Sequence, residues 1–144
     1  LGAATAYDGA PLANDLSGAA LEAAVREALA GVEVDAVVAH AAGTRKGDAI
    51  EAAVLGRTLP HRPPMTSLKG TFGHTLGASG AIELVMAVRA MGEGVVPATA
   101  NLQKADPVFP LPVVREAEAR PLRTILKTAS AMGGLHAALV LGRT

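Results

Sequence analysis

The sequence predicts one α/β domain, built around a mixed β-sheet with helices on its faces. Short apolar runs of strand length alternate with longer segments of helical periodicity, in the order β-α-β-α-β-α-β-β. Such alternation is typical of layered α/β proteins. The last two runs are joined by a Gly-Gly turn, which predicts a hairpin and therefore a sheet that is not purely parallel. A length of 144 residues, without an evident linker or internal repeat, fits a single domain.

The chain up to residue 39 contains two predicted strands and one amphipathic helix. A strand is predicted over 1–6, where the residues are apolar enough to lie inside the sheet. After a loop, Asp15 or Ser17 is expected to cap the first helix. A short buried strand follows over 34–39, after Gly31 has ended the helix. The helix has its apolar residues at helical spacing, namely Leu21, Val25, Ala28 and Leu29.

The chain beyond residue 39 is predicted to contain two helices, one short strand and a final hairpin, with a proline-rich irregular stretch over 95–112. The predicted bounds are 48–55 and 75–91 for the helices, 65–68 for the short strand, and 124–128 and 137–141 for the hairpin. Gly56 is expected to close the shorter helix, and Gly92 with Gly94 the longer one. The first half of the longer helix is small or apolar, so we expect it to be buried on most sides.

Composition excludes several classes of function. The 13 basic and 13 acidic residues give no net charge, so no general attraction to nucleic acid or to anionic membranes is expected. Cysteine is absent, which excludes disulfides, thiolate metal sites and a cysteine nucleophile from this sequence. No apolar run approaches the roughly 18 residues of a membrane span, and no signal peptide is visible, so a cytoplasmic protein is expected. Because the first residue is Leu1, we expect a cleaved chain or a missing start.

The apolar residues themselves indicate a thin core. Half of the sequence is apolar, but most of that half is alanine, and the only aromatic residues are Tyr7, Phe72 and Phe109. Alanine buries little area for each ordered residue. We therefore expect part of the apolar surface to face a partner.

Four reactive side chains stand where predicted elements begin or end. His40 follows a buried strand, Lys69 follows the next strand, and His74 lies in a glycine-rich lead into a helix; Glu51 lies on the helix between the two strands. Ligands of α/β sheets bind at the carboxyl ends of strands, so this placement indicates a site. A helix N-terminus would keep His74 neutral. Taken alone, a histidine in such a place is more often a structural residue, and Lys69 with Glu51 is also compatible with an ordinary surface ion pair.

Three stretches together resemble elements of the β-ketoacyl synthases, in the order and at the spacings of that family. The first is His40 with Gly47-Asp48 and Glu51, which is similar to the family's His-Gly-Thr-x-Thr…Gly-Asp…Glu element. The second is Lys69…Gly73-His74…Leu76-Gly77-Ala78…Gly80, and the third is Gly133-Gly134 within 130–136, which looks like a degraded Gly-Phe-Gly-Gly-Thr-Asn loop. The resemblance spans nearly the whole chain. It implies the carboxyl-terminal half of such an enzyme, which is one half of a thiolase-like layered fold.

The resemblance implies a catalytic role for each of the four residues. In the family, the two equivalent histidines stabilise the oxyanion formed when a malonyl thioester loses carbon dioxide, and this role falls to His40 and His74. Lys69 would then support His74, and Glu51 would neutralise Lys69, because a buried lysine without a partner is costly. No metal or cofactor is implied, and the four histidines lack metal-ligand spacing.

The resemblance also implies a substrate-binding set. Thr44 matches a threonine that hydrogen-bonds the pantetheine arm, and Met132 stands where a gating phenylalanine is usual, beside Gly133 and Gly134. The backbone N–H of Met132 is expected to help form an oxyanion hole. Departures from the family pattern are Ala42, Ala131 and Leu135-His136, and His136 is expected to be structural rather than catalytic. His61, among prolines, is expected to be solvated.

The resemblance implies one half of a condensing enzyme of fatty acid or polyketide biosynthesis. A partner amino-terminal half, on another chain or a missing segment, would supply the nucleophilic cysteine. The thioesters would arrive as phosphopantetheine conjugates on acyl carrier protein or coenzyme A, and the assembly would be a hetero-oligomer built on a ketosynthase dimer. Two alternatives remain open: a non-catalytic scaffold subunit similar to a chain length factor, and an acyltransferase or decarboxylase on the same fold.

Overall fold

A five-stranded mixed sheet organises the fold. The structure is a computed structural model that describes residues 1–9, 16–107 and 109–144. The strands lie in the spatial order β1-β7-β6-β2-β3, with bounds Gly2–Tyr7 (β1), Ala36–Val38 (β2), Met65–Thr66 (β3), Thr124–Ala131 (β6) and Leu135–Gly142 (β7). β2 is parallel to β3 and β6, whereas β7 is antiparallel to β1 and β6. The predicted mixed sheet and the terminal hairpin are therefore confirmed.

The helices and a small second sheet connect these strands. The helices are Ala19–Leu29 (α1), Arg45–Thr58 (α2), Lys69–Phe72 (α3) and Ser79–Glu93 (α4), with a 3₁₀ turn at Leu76–Ala78. Two further strands, Val95–Val96 (β4) and Glu118–Ala119 (β5), pair antiparallel with each other. They lie in and after the stretch that the sequence predicted as irregular. No helix of the described residues is long and apolar enough to cross a membrane.

The sheet separates two apolar clusters because successive strand residues point to opposite faces. On one face, α1 and α2 cover Val37 of β2 and Leu126 of β6. On the other face, α4 covers Val38 and Ile125, which are the next residue of β2 and the preceding residue of β6. Both layers converge on the carboxyl end of β2, where His40 lies.

Two predictions about burial were wrong. β1 was expected inside the sheet, but among the described residues it lies at the edge, because it pairs there only with β7, whose other side is already paired with β6. The first half of the helix predicted over 75–91 was expected to be buried on most sides, but residues 75–78 and Ala81 are exposed, and Leu76 is 74% exposed. Both segments are rich in small apolar residues. Such a composition does not indicate on how many sides a segment is covered by the rest of the fold.

Helix ends also differed from prediction. α2 begins at Arg45 and continues through Gly56 to Thr58. At Gly56 an added Cβ would lie 2.6 Å from the ring of Pro110, so this glycine allows close packing and does not end the helix. The helix predicted from residue 75 begins at Ser79, although Gly94 ends it as expected, in a left-handed conformation. Asp15 lies outside the described residues, and Ser17 accepts a hydrogen bond from the N–H of Ala19.

Candidate functional site

The two histidines meet at the carboxyl edge of the parallel strands. His40 lies two residues beyond β2, and Lys69, after β3, begins α3. Because β2 and β3 are adjacent and parallel, their ends open on the same edge. The imidazole rings of His40 and His74 have centroids 5.3 Å apart and an interplanar angle of 81°. Two donors at this separation can both reach one small group, while the catalytic roles of the two residues stay a prediction.

The backbone of His40 is held from the side of α2 by a carboxylate. Glu51 Oε1 accepts the N–H of His40 at 2.9 Å, and Oε2 accepts the N–H of Ala41 at 2.7 Å. The hydroxyl of Thr128, on β6, donates to Glu51 Oε1 at 2.5 Å. Glu51 is buried and its carboxylate is used by the histidine loop. The predicted pair between Glu51 and Lys69 is therefore wrong.

Lys69 holds the same loop from the opposite side. Its Nζ donates to the carbonyl oxygen of His40 at 2.5 Å and pairs with Glu83 Oε1 at 2.6 Å. The sequence predicted that Lys69 would support His74, but the contact is with His40. Glu51 is unavailable to Lys69 because it belongs to α2, on the other face of the sheet from α4, which carries Glu83. Lys69, Glu83 and Glu51 are all buried.

A second buried lysine completes this cluster and was missed from the sequence. Lys127, on β6, lies 2.8 Å from Glu83 Oε2 and hydrogen-bonds the carbonyl oxygen of Thr128. Burial lowers the pKa of Lys127, and the charge of Glu83 opposes that effect. Glu83 is the only acidic residue of the apolar segment 80–92, and Lys127 is the only charged residue of β6. A single carboxylate in an apolar helix segment and a single charge in an apolar strand were the signals that could have identified them.

The electrostatics of the site keep His40 neutral. Burial, and after it the positive charge of Lys69, lower the pKa of His40 to about 4, while Glu51 acts in the opposite direction. At neutral pH the ring is an uncharged imidazole. Such a ring donates from one nitrogen and accepts at the other.

The hydrogen bonds of His74 select one tautomer. Its Nδ1 accepts the N–H of Leu76 at 3.1 Å and lies 3.2 Å from the hydroxyl of Ser79. When Nδ1 accepts, the proton of a neutral ring is on Nε2. The sequence placed His74 at a helix N-terminus, but α4 begins five residues later, after the 3₁₀ turn. Hydrogen bonding, rather than the helix dipole, therefore accounts for the geometry of this residue.

Both histidine loops contain a strained residue. Ala41 has φ of 34° and Leu76 has φ of 51°, in the left-handed region that side chains other than glycine avoid. Such a conformation costs on the order of 1–3 kcal/mol and persists only where its surroundings enforce it. Here the N–H of Ala41 is held by Glu51, and that of Leu76 by His74. The chain thus keeps strain next to each imidazole.

The predicted substrate residues lie outside this hydrogen-bonded cluster. Thr44 is exposed directly before α2, and its N–H donates to Asp48 Oδ1 at 3.2 Å. Met132 is 89% exposed at the tip of the β6–β7 hairpin, followed by Gly133 and Gly134 with φ of 89° and 77°. Within the part of the chain that the structure describes, no hydrogen bond, ion pair or ring contact joins either segment to the two histidines. Their assignment to substrate stays a prediction.

The remaining histidines have other surroundings. His136 is buried, with Nδ1 2.9 Å from the hydroxyl of Ser130 and Nε2 3.4 Å from Asp8 Oδ2. The N–H of Asp8 donates to the carbonyl of Gly134, where an added Cβ would lie 1.7 Å from the Asp8 carboxylate. His136 thus ties the hairpin to β1, in agreement with the structural role expected. His61 is exposed, with Nε2 3.0 Å from the carbonyl of Val34.

A paired-histidine site on half of a layered α/β fold agrees with the comparisons to known proteins. The family model described as beta-ketoacyl synthase, C-terminal domain, matches residues 1–103. The chain therefore belongs to the β-ketoacyl synthase family, of which it represents the C-terminal domain. This assignment confirms the resemblance that the three sequence elements indicated.

Among curated relatives, the putative polyketide beta-ketoacyl synthase 1 of Streptomyces halstedii is 44% identical over 117 residues, covering 78% of this chain and 28% of that protein. The tetracenomycin polyketide synthase ketoacyl synthase alpha subunit of Streptomyces glaucescens is 37% identical over 140 residues, covering 94% of this chain and 32% of that protein. The chain thus spans about a third or less of the length of these relatives.

Solved structures give the same fold. The ishigamide ketosynthase/chain length factor superposes with a TM-score of 0.93 at 31% identity, covering 100% of this chain and 37% of that one. A type II acyl-carrier protein in complex with its ketosynthase bound to the hexaketide (AntDE:AntF) gives a TM-score of 0.92 at 27% identity, covering 99% of this chain and 38% of that one. Neighbours of this kind are thiolase-like ketosynthases, as the predicted fold required.

Proposed function

We propose that this chain supplies the decarboxylating half of a condensing enzyme. The reaction is the decarboxylative Claisen condensation of a malonyl thioester with an acyl group held on a cysteine of a partner half. The observation that carries the proposal is the pair of imidazoles of His40 and His74, whose centroids are 5.3 Å apart, with the His40 loop fixed by a buried carboxylate and a buried ammonium group.

The chemistry requires hydrogen-bond donors at one oxygen. When the malonyl group loses carbon dioxide, the electrons of the broken C–C bond move to the thioester oxygen. The resulting enolate attacks the acyl carbon on the cysteine, the acyl C–S bond breaks, and the cysteine leaves as a thiolate. The low pKa of His40 keeps its ring neutral, and His74 donates from Nε2. Loss of one oxyanion donor typically costs about 3–4 kcal/mol, so two such donors are a large part of the catalysis.

The nucleophile must come from a second half. Cysteine is absent from this sequence, and the relatives are about three times as long as this chain. Beside α4 there is a cavity of 520 Å³ whose walls are mostly small and apolar, including Gly80, Leu84, Ala129, Ala137 and Leu139. Val85 and Val88 of the same helix are also exposed, and exposed apolar groups can mark an interaction site. The cavity and these two side chains support docking of the amino-terminal half.

The acyl and malonyl groups are expected on phosphopantetheine carriers, without a metal or cofactor. The similarity to a ketosynthase in complex with an acyl-carrier protein favours such a protein as the carrier. Thr44 is assigned to the pantetheine arm because it is exposed at the start of α2, close in sequence to His40. Met132, exposed at the hairpin tip beside Gly133 and Gly134, is assigned to the acyl gate.

A second candidate is a non-catalytic subunit similar to a chain length factor. The similarity to ketosynthase/chain length factor assemblies and the departures at Ala42 and Met132 favour it. The buried cluster around His40 favours the enzyme, because a scaffold has no need of two buried lysines behind a neutral imidazole. An acyltransferase or decarboxylase on the same fold remains a third candidate, and separate assays of each step distinguish them.

The test is to combine the chain with a cysteine-bearing amino-terminal half and to measure loading and decarboxylation separately, with labelled acyl and malonyl thioesters. His40→Ala and His74→Ala should each reduce malonyl decarboxylation about 10²–10³-fold, and acyl loading much less. Lys69→Ala should also reduce decarboxylation, because it releases the His40 carbonyl. The exposed His61→Ala is the matched control and should leave both steps unchanged. Decarboxylation at the parent rate in both site variants would establish the scaffold instead.

A further inference from the structure

Lys127 is a buried charged residue that the proposed chemistry does not use. It lies on β6 opposite Val38 of β2. Val38 comes two residues before His40 in the sequence. The side chain of Lys127 points to the α4 face, whereas that of the next residue, Thr128, points to the α2 face and contacts Glu51. Two consecutive residues of one strand therefore reach the two carboxylates that support the His40 loop from opposite faces of the sheet.

A continuous series of contacts leads from Lys127 to His40. Lys127 Nζ is 2.8 Å from Glu83 Oε2, and Glu83 Oε1 is 2.6 Å from Lys69 Nζ. Lys69 Nζ is in turn 2.5 Å from the carbonyl oxygen of His40. Each oxygen of Glu83 thus faces one ammonium group. Two positive charges share one negative charge, so this side of the His40 loop carries an excess of positive charge.

Stability alone does not account for such an arrangement. Replacing a buried ion cluster by well-packed apolar residues is often neutral or stabilising, because desolvation of the charges offsets their attraction. β6 is otherwise uncharged, and an apolar residue at position 127 would continue its pattern. A requirement of the neighbouring site explains the lysine better.

We propose that Lys127 is a positioning residue of the histidine site: by sharing Glu83 with Lys69, it holds Lys69 against the His40 carbonyl and helps to keep the His40 imidazole neutral. The inference rests on the proposed function for its catalytic meaning. Its test does not, since the protonation state of His40 is measurable without turnover.

The charged groups around His40 act in both directions. Burial has the largest effect in lowering the pKa of His40, followed by Lys69 of α3; Lys127 of β6 and His74 also lower it, and Glu51 of α2 raises it. The other charged groups on the packed elements are Glu83 of α4 and Asp48 of α2. Burial raises the pKa of the Asp48 carboxyl. Removing the charge of Lys127 shifts this balance towards the carboxylates and so favours the imidazolium.

The experiment follows the His40 ring by NMR across pH, in the complex with the amino-terminal half, with the signal identified by its loss in His40→Asn. Lys127→Met removes the charge and the donor. Lys127→Gln removes the charge and keeps a donor for the Thr128 carbonyl. Lys127→Arg keeps the charge. Arg89→Met removes a cation from the exposed side of α4 and is the control for net charge.

The two neutral variants should raise the pKa of His40 by on the order of one unit, while Lys127→Arg and Arg89→Met should leave it near the parent value. A folded Met or Gln variant with an unchanged His40 pKa would overturn the proposal. Loss of folding in both neutral variants, with Arg tolerated, would also overturn it and leave a structural role. If neither the parent complex nor any variant decarboxylates malonyl thioester, but the pKa of His40 shifts as expected, the proposed function fails and the positioning role of Lys127 stands.

Discussion

Helices α1 and α4 lie on opposite faces of one sheet but are buried differently. α1 places Leu21 and Val25 against the sheet, fully buried, and exposes charged residues on its outer side. α4 buries a short stripe that includes the charged Glu83, yet leaves Val85 and Val88 exposed on the other side. α1 therefore has a single apolar face, whereas α4 has apolar residues on two faces.

This difference shows which side of the chain is complete. The face under α1 and α2 closes an ordinary apolar core within the chain. The α4 side combines an ion cluster on the inside with uncovered apolar area on the outside, as expected for a helix that lies between two layers. We therefore expect stability to depend on packing on the first side, and on charge pairing and the proposed partner on the second side.

The largest expected effect comes from breaking the ion cluster. Glu83→Gln leaves Lys69 and Lys127 buried without a counter-charge, and removing one member of a buried pair typically costs about 3–5 kcal/mol. Urea denaturation followed by circular dichroism measures the change. Glu93→Gln, in an exposed pair with Arg89 on the same helix, is the control and should change stability by less than about 1 kcal/mol. Equal losses in the free energy of unfolding from the two substitutions would contradict a stabilising role for Glu83 in the ion cluster.

Packing under α1 should give the next largest effect. Leu21→Ala removes a fully buried side chain and should lower the free energy of unfolding by about 2–5 kcal/mol. Leu16→Ala makes the same chemical change at a side chain that is mostly exposed, and should stay within about 0.5 kcal/mol of the parent. Similar losses at both positions would mean that the α1 face is not the closed core described above.

The outer face of α4 should respond only when a partner is present. Val88→Ser should change the stability of the chain alone by no more than about 0.5 kcal/mol, because the side chain is solvated there. Mixing the parent chain with an amino-terminal half should raise its melting temperature by mass action, and Val88→Ser should reduce that increase. Thermal scans at matched concentrations test both statements. An undiminished increase in the variant would place the interface elsewhere.

The smallest effect is expected at the surface of α1. Hydrogen bonds from Arg26, then from Arg57, lower the pKa of the Glu22 carboxyl. A lowered folded-state pKa stabilises above the unfolded value and loses that stabilisation as pH falls through the folded value. Glu22→Gln should therefore cost less than about 1 kcal/mol at pH 7 and nothing at low pH. A loss that is independent of pH and of salt would exclude the ion pairs as its cause.

Prediction from sequence succeeded where local pattern is sufficient. The alternation of apolar runs predicted the mixed sheet, and Gly133-Gly134 predicted the final hairpin. His40 and Lys69 were correctly placed beyond strands that prove adjacent and parallel. Prediction failed where partners are chosen across the fold: Glu51 was paired with Lys69, although Glu83 holds that lysine. The distance in sequence from Lys69 to either carboxylate says nothing about which side of the sheet each one occupies.

The sequence by itself determined the family, the fold class and which two histidines lie together at the strand ends, because spacing along strands and loops is a local property of the chain. Only the tertiary structure decided how those imidazoles are supported. The register of β6 against β2 directs Thr128 to one face and Lys127 to the other, so that Glu51 and Glu83 hold the His40 loop from opposite sides. Which charges meet in a buried cluster depends on register and layer order, and these are fixed only when the whole sheet has formed.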